Sequence, residues 1–270
     1  MKEEQAIQQV TAPHTVASLS SDFLRVGIHS GMTLLVHSSL SSLGWVCGGA
    51  IAVIQALMTV LTDEGTLVMP THTGDLSNPA RWQNPPVPES WWETIRSTMP
   101  AFHPDYTPTR GMGAIPEVFR NMPGVVRSHH PTVSFAAYGK HAAFVTSNHS
   151  LTYSLGNLSP LARVYDLDGS ILLLGVGYGN NTSFHLSEAR ARGSKIYQES
   201  SPVTDQNGKR TWTSYEEIDW DDEPFDRIGK DFEAAFDVKP MKIGVAESRL
   251  FRQKLAVDYA VKWLEKARGY

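Results

Sequence analysis

The sequence predicts an α/β protein: one three-layer α/β/α domain over residues 1–270, built on a mixed, mostly parallel β-sheet. Three observations carry this reading. A strand–helix–strand succession at 33–37, 50–61 and 65–70 is the pattern of a βαβ unit with a parallel pair. The run SILLLGV at 170–176 has the make-up of a strand buried on both faces, near the centre of a sheet. An amphipathic segment at 250–266 closes the chain, with Leu250, Val257, Val261 and Leu264 on its inner side.

In chain order, residues 15–29 read as a helix. Leu19, Phe23 and Val26 recur at helical spacing, and Ser18, Ser20 and Ser21 cap or solvate the polar face. Gly27 and Gly31 break the pattern before TLLVH, a strand rich in apolar residues. AIAVIQALMTVL at 50–61 is helical and apolar on most sides, so it belongs inside. Asp63, Glu64 and Gly65 turn the chain into the strand GTLVMP. Residues 75–108 change texture, with prolines at 79, 85, 86, 88, 100, 104 and 108 and tryptophans at 82, 91 and 92. Prolines stop regular elements, whereas tryptophans favour burial, so an ordered excursion packed on the core is expected. A short helix follows at 114–120, with Pro116 tolerated in its first turn. Residues 132–138 alternate like a strand, and 183–192 read as a helix. A hairpin spans 197–212 around Asp205-Gln206-Asn207-Gly208, and a late strand covers 241–245.

Composition bounds the function. Hydrophobic residues make up 41% and charged residues 19%, a globular balance. A net charge of −4 argues against a dedicated nucleic-acid binder. The one cysteine, Cys47, excludes an internal disulfide and a cysteine-rich metal module, which fits a reducing cytosol. No apolar run reaches the roughly 20 residues of a membrane helix. Residues 1–10 are polar, with Glu3 and Glu4, unlike a secretory signal. A cytoplasmic protein with no nucleic-acid or membrane partner is expected.

Several constellations carry chemistry. Val36-His37-Ser38-Ser39-Leu40 ends the first strand, the usual ligand position in an α/β sheet, and Gly44, Gly48 and Gly49 follow. The segment is either a cradle for a phosphate or pantetheine arm or an ordinary capped turn. His185 and Glu188 are three apart and share a helical face. A carboxylate beside an imidazole orients it and stabilises its protonated form, as a general base requires; a surface ion pair is the plainer alternative. Two ligands from one helix do not make a metal site, and no metal is expected. Gly175-x-Gly177-x-Gly179 lacks the third small residue of a dinucleotide fingerprint, since position 180 is Asn. His129 and His130 are adjacent and would point to opposite sides of a strand. Cys47 reads as a packing residue. The run YEEIDWDDEPFD at 215–226 is either a solvated surface or the lining of a cleft for a polycation.

Taken together, five segments resemble the aminoglycoside 3-N-acetyltransferase, or antibiotic N-acetyltransferase, family. They are LLVHSSLSSLGWVCGGA at 34–50, GTLVMPTHTGDLSNP at 65–79, TRGMGAIPEVFRNMPGVVRSHHPTVSFAAYG at 109–139, SPLARVYDLDGSILLLGVGYGNNTSFHLSE at 159–188 and SRLF at 248–251. The resemblance implies acetyl transfer from acetyl-CoA to an amine, the 3-amino group of an aminoglycoside antibiotic, without a metal. It places the family's catalytic histidine on His185 and its glutamate on Glu188, with Ser187 where members commonly carry Ala. It implies coenzyme A contacts at His37, Ser38, Ser39 and Leu40, at Thr71, and along Arg110, Gly111, Met112, Gly113 and Ile115.

On this reading His185 takes a proton from the amine, Glu188 holds the imidazolium, and Thr73 with backbone amides supplies donors to the developing oxyanion. Glu217, Asp219 and Asp222 would line a cleft for a polycationic amine. The partners are then small molecules, and the chain is a monomer or homodimer. Three alternatives stand beside it: a non-aminoglycoside amine as acceptor, an inactive coenzyme A-binding homologue, and a hydrolase using Ser38 or Ser183. The hydrolase lacks a Gly-x-Ser-x-Gly elbow.

Overall fold

The computed structural model describes residues 3–270, so the first two residues of the polar N-terminal stretch lie outside the described residues. Helix α1 (Glu3–Gln8) leads to α2 (Val16–Arg25). The α2 start is set by reciprocal bonds: the Ser18 amide donates to Thr15 Oγ1 at 3.2 Å and the Thr15 amide to Ser18 Oγ at 2.9 Å. Leu19 and Phe23 are fully buried beneath it. The helix stops short of residue 29 because Gly27 takes φ of 100°, a left-handed turn that glycine adopts freely.

Strand β1 (Thr33–Ser38), helix α3 (Gly49–Leu61) and strand β2 (Thr66–Pro70) form the expected unit, with β1 and β2 parallel. The chain then runs through α4 (Trp92–Thr98), α5 (Ala114–Phe119), β3 (Val126–Arg127), β4 (Phe135–Gly139), α6 (Ala142–Thr146) and α7 (Pro160–Asp166). Strand β5 (Ser170–Leu174) and α8 (Ser183–Arg190) follow. The hairpin β6 (Ile196–Thr204) and β7 (Arg210–Ile218) forms its own two-stranded sheet. Helix α9 (Phe225–Phe236), strands β8 (Met241–Ile243) and β9 (Ala246–Arg252), and helix α10 (Gln253–Ala267) complete the chain.

The seven-stranded sheet has the order β3-β4-β2-β1-β5-β9-β8. Its three central strands are parallel; β4 and β9 run against them, and β3 and β8 with them. Side chains alternate across the central strands, so each strand feeds two cores. Leu34, Val36, Leu172 and Leu174 pack towards α2, α3 and α5. Leu35, Ile171 and Leu173 pack towards the layer of α7 to α10. All seven are fully buried, each contributing roughly 1.5–3 kcal/mol.

Two elements differ from the sequence reading. Residues 246–252 form β9, paired antiparallel with β5, so Leu250 lies on a strand and the last helix starts at Gln253. The predicted acidic surface ends in α9, whose Phe225, Ile228 and Phe232 are fully buried.

The 75–108 excursion is ordered but does not bury its tryptophans: Trp91 is 57% exposed, and Trp82 and Trp92 are half-buried. Polar ties hold it instead. Arg127 donates to the carbonyls of Pro104, Thr107 and Thr71, and its guanidinium lies 4.9 Å from the Phe102 ring centre. Arg210 of β7 donates to the carbonyls of Arg96 and Met99. Arg81 pairs with Asp219 at 2.9 Å and lies 3.6 Å from the Tyr197 ring centre. No helix among the described residues is long and apolar enough to cross a membrane.

Candidate active site

The three central strands end side by side, and each delivers a histidine to the same edge. His37 lies in β1, His72 two residues beyond β2, and His185 in the first turn of α8, after β5. Both His37 and His72 feel the charge of His185.

Packing and a local bond hold the start of α8. Phe184, Leu186 and Ser187 are fully buried, and the Ser183 amide donates to Asn181 Oδ1 at 3.3 Å. This leaves His185 and Glu188 on one face, with 2.6 Å between His185 Nδ1 and Glu188 Oε2. The other oxygen of Glu188 accepts the Asp221 amide at 3.0 Å. Trp220 and Phe225 flank the imidazole, at 5.3 and 4.8 Å between ring centres. The Glu188 side chain is 2% exposed and that of His185 16%, so the carboxylate is sealed while the ring keeps an open edge. With Nδ1 engaged, Nε2 is the nitrogen left for a substrate proton.

The other two histidines are electrostatically distinct. Burial pushes His37 down to about 3, with the charge of His185 adding to it. Burial likewise brings His72 to about 3, followed by the charges of His185, His37, His149 and Arg127. Both rings are neutral at pH 7. His37 Nε2 lies 3.4 Å from Thr182 Oγ1, whereas His72 Nε2 is buried without a hydrogen-bond partner.

A cavity of about 530 Å³ opens beside this edge. Ser38, Ser39 and Leu40 form one wall and Gly111, Met112, Gly113 and Ile115 another. Ser38 Oγ is buried and has no partner. At Gly49, Gly111 and Gly113 the space a Cβ would enter is empty, and all three have positive φ. An orphan hydroxyl and a groove left open by missing side chains suit a narrow polar arm such as pantetheine. Met112 also lines an adjoining cavity of about 370 Å³, with His72, Thr73, Asp75, Trp82 and Arg110.

Several expected site residues stand differently. The Thr73 hydroxyl donates to the Pro131 carbonyl, so its proton is not free for an oxyanion. Thr71 is fully buried, its hydroxyl bonded within a network of Ser134 and Arg127, and serves the framework instead of a coenzyme. Arg110 lines the adjoining cavity, paired with Asp75 at 3.2 Å. Glu217 is 4% exposed and accepts the Ser154 and Ile218 amides; burial pushes its carboxyl up to about 7. Asp219 is engaged by Arg81, so of the three carboxylates put forward for the amine Asp222 alone is exposed and outside any ion pair among the described residues. Ser183 Oγ accepts from Gln253 Nε2 and is fully buried, which removes it as a hydrolytic nucleophile. In the glycine run, the Gly179 amide donates to Asp226 Oδ1 at 2.9 Å, placing a carboxylate where a phosphate would sit.

His72, Trp220, Phe225 and the Asp221 amide were absent from the sequence reading. A signal existed for the aromatics, since a purely solvated acidic run has no need of Trp220 and Phe225. The backbone amide has no sequence signature.

Residues 35–265 match the family model described as aminoglycoside 3-N-acetyltransferase. A relative from Bacillus subtilis (strain 168), the SPbeta prophage-derived aminoglycoside N(3')-acetyltransferase-like protein YokD, is 48% identical over 95% of this chain and 94% of its own. The crystal structure of YokD superposes with a TM-score of 0.96 over 98% of each chain, at 46% identity. Two more distant structures are similar at 29% identity. AAC-IIIb, described as a binary complex with CoASH, has a TM-score of 0.83 over 95% of this chain and 98% of its own. AAC-VIa, described as bound to sisomicin, has a TM-score of 0.86 over 96% and 100%.

Proposed function

The chain belongs to the aminoglycoside 3-N-acetyltransferase family and is thereby an acyltransferase; from that premise we propose that it transfers the acetyl group of acetyl-CoA to an amino group of an aminoglycoside, the 3-amino group, with His185 as general base. The observation that carries this reading is the chain from the Asp221 amide through buried Glu188 to His185 Nδ1, which leaves Nε2 of a partly exposed ring uncommitted.

An ammonium group is no nucleophile, so the acceptor must lose a proton. That proton passes to solvent, and Nε2 of His185 takes a second one from the neutral amine as the C–N bond forms, with Glu188 stabilising the imidazolium. The thioester supplies an activated acetyl group. As the C–S bond breaks, His185 returns the proton to the departing sulfur, so the products are the acetylated amine and free CoA thiol. Burial keeps Glu188 from exchanging its partner for water, and its second oxygen is occupied by a backbone amide. Near-neighbour His37 and His72 stay uncharged and do not oppose the imidazolium.

The donor reading is supported by the CoASH complex of AAC-IIIb and by the cavity walls formed by Ser38, Ser39, Leu40, Gly111, Met112, Gly113 and Ile115. The acceptor reading is supported by the sisomicin complex of AAC-VIa and by the exposed Asp222, two residues from Trp220. The test is thiol release from acetyl-CoA with a panel of aminoglycosides and simpler amines. Release with aminoglycosides supports the proposal; release only with other amines replaces the acceptor, and none with any amine refutes the transfer itself.

A further inference from the structure

We propose that His72 is a catalytic residue for the transfer described above: in the tautomer with its proton on Nε2, it donates a hydrogen bond to the acetyl carbonyl oxygen as negative charge builds there. The proposal rests on the acetyl-transfer reading and deepens it.

Thr73, which the sequence puts forward for this role, has its proton committed to Pro131. The role therefore needs another group on the same edge. His72 follows β2 and His37 lies in the neighbouring β1, while α8, which carries His185, starts against His37 through Thr182. His37 Nε2 already has Thr182 Oγ1 within 3.4 Å. His72 Nε2 is buried and unpartnered, and an unmet buried polar atom costs stability unless a ligand meets it. Its ring packs edge-on against Phe135, 5.2 Å between centres, which fixes its plane. It also lines the smaller cavity, which shares Met112 with the larger one.

The charge state fits. The groups acting on His72 are His185, His37, His149 and Arg127, and each disfavours a proton on it. A neutral imidazole polarises a carbonyl without competing with the base for the proton of the amine. It also gains strength as charge moves onto oxygen, so it favours the transition state over the bound donor. The bond changes are those of the transfer already given; His72 keeps its own proton throughout.

The test uses the full chain with His72→Phe and His72→Gln, acetyl-CoA, and the best amine from the panel. For His72→Phe we expect kcat to fall by about a hundredfold, the usual loss of an oxyanion donor, with acetyl-CoA affinity within about threefold of wild type. His72→Gln restores an N–H and is expected to recover at least a tenfold part of that loss. The pH–rate profile should keep its midpoints in both variants, because His72 does not titrate in the working range. A purely structural role would lower thermal stability and donor affinity together and would not be rescued selectively in kcat. As a check that needs no folded variant, ¹⁵N spectra of wild-type histidines are recorded with and without acetyl-CoA. A shift of the His72 Nε2 resonance is expected. An unmoved resonance, or a His72→Phe kcat within threefold of wild type, overturns the proposal while the transfer reading survives. Wild-type protein that acetylates no amine overturns the transfer reading, and this proposal with it.

Discussion

Replacing Glu217 with Gln should stabilise the protein at and above neutral pH and leave it unchanged near pH 4. The carboxyl is 4% exposed and rises from 4.5 to about 7 through burial. At about 1.4 kcal/mol per pH unit, this rise corresponds to about 3 kcal/mol. The folded chain retains the proton where the unfolded chain releases it, so this contribution is fully present below about pH 4.5, is lost as pH rises to about 7, and is level above it. Gln keeps the two shorter contacts, because Oε1 of Glu217 already receives the Ser154 and Ile218 amides at 3.1 and 2.9 Å, and it gives up only the longer approach of the Ser154 amide to Oε2 at 3.3 Å. His130 and His149, lowered by burial, act in the opposite direction in acid, and the difference between wild type and variant cancels them. Urea unfolding at a series of pH values from about 4 to 8 reads the effect. The variant should gain about 3 kcal/mol relative to wild type across the series, on the order of 6–10 °C in Tm. An offset that does not change with pH would refute the buried-carboxyl account. So would a severalfold rise in the acceptor KM at unchanged stability, because that would return Glu217 to the substrate.

The other predictions concern the site and its supports. His185→Ala should lower kcat by on the order of a hundredfold or more and Glu188→Gln by about tenfold, both at near-normal acetyl-CoA affinity, measured by thiol release. Ala114→Trp places a large ring at an exposed position on the rim of the 530 Å³ cavity; it should raise the acetyl-CoA KM at least tenfold with Tm unchanged. Gly229→Ala should cost about 2 kcal/mol in urea unfolding. A Cβ there would lie 2.0 Å from Cγ of Tyr178, itself stacked on Phe184 and Phe251, so overpacking outweighs the roughly 1 kcal/mol gained by replacing glycine in a helix.

The sequence was legible where one physical signal dominated. The apolar continuity of 170–174 identified β5, and the Asp205–Gly208 turn identified the hairpin. It was misleading where two signals overlapped. Glu247 and Arg249 broke the apolar pattern of β9, because that strand is half-exposed near the sheet edge. The acidic residues before Phe225 hid the helix that packs against His185. At the site, His185 and Glu188 were readable because their spacing is local. His72 stands between two threonines with no partner nearby in sequence, and only the order β2-β1-β5 brings it to the edge where the charge of His185 reaches it. The same holds for Glu217: its place in the acidic run suggests solvent or the lining of a substrate cleft, and only the strand that carries it reveals the interior.

The arginines that fasten the 75–108 excursion differ in what they grip. Arg81 holds a carboxylate, a contact that dissolved ions weaken and acid removes. Arg127 and Arg210 hold carbonyl oxygens, which carry no proton to gain and no net charge to screen. Burial brings Arg127 down only to about 10, so it stays cationic at any pH the cell offers. The excursion is therefore hinged at Arg81 and riveted at its far end and beneath α4. In concentrated brine the margin near Arg81 should loosen first, while the wall that carries Met112 keeps its position over the histidines.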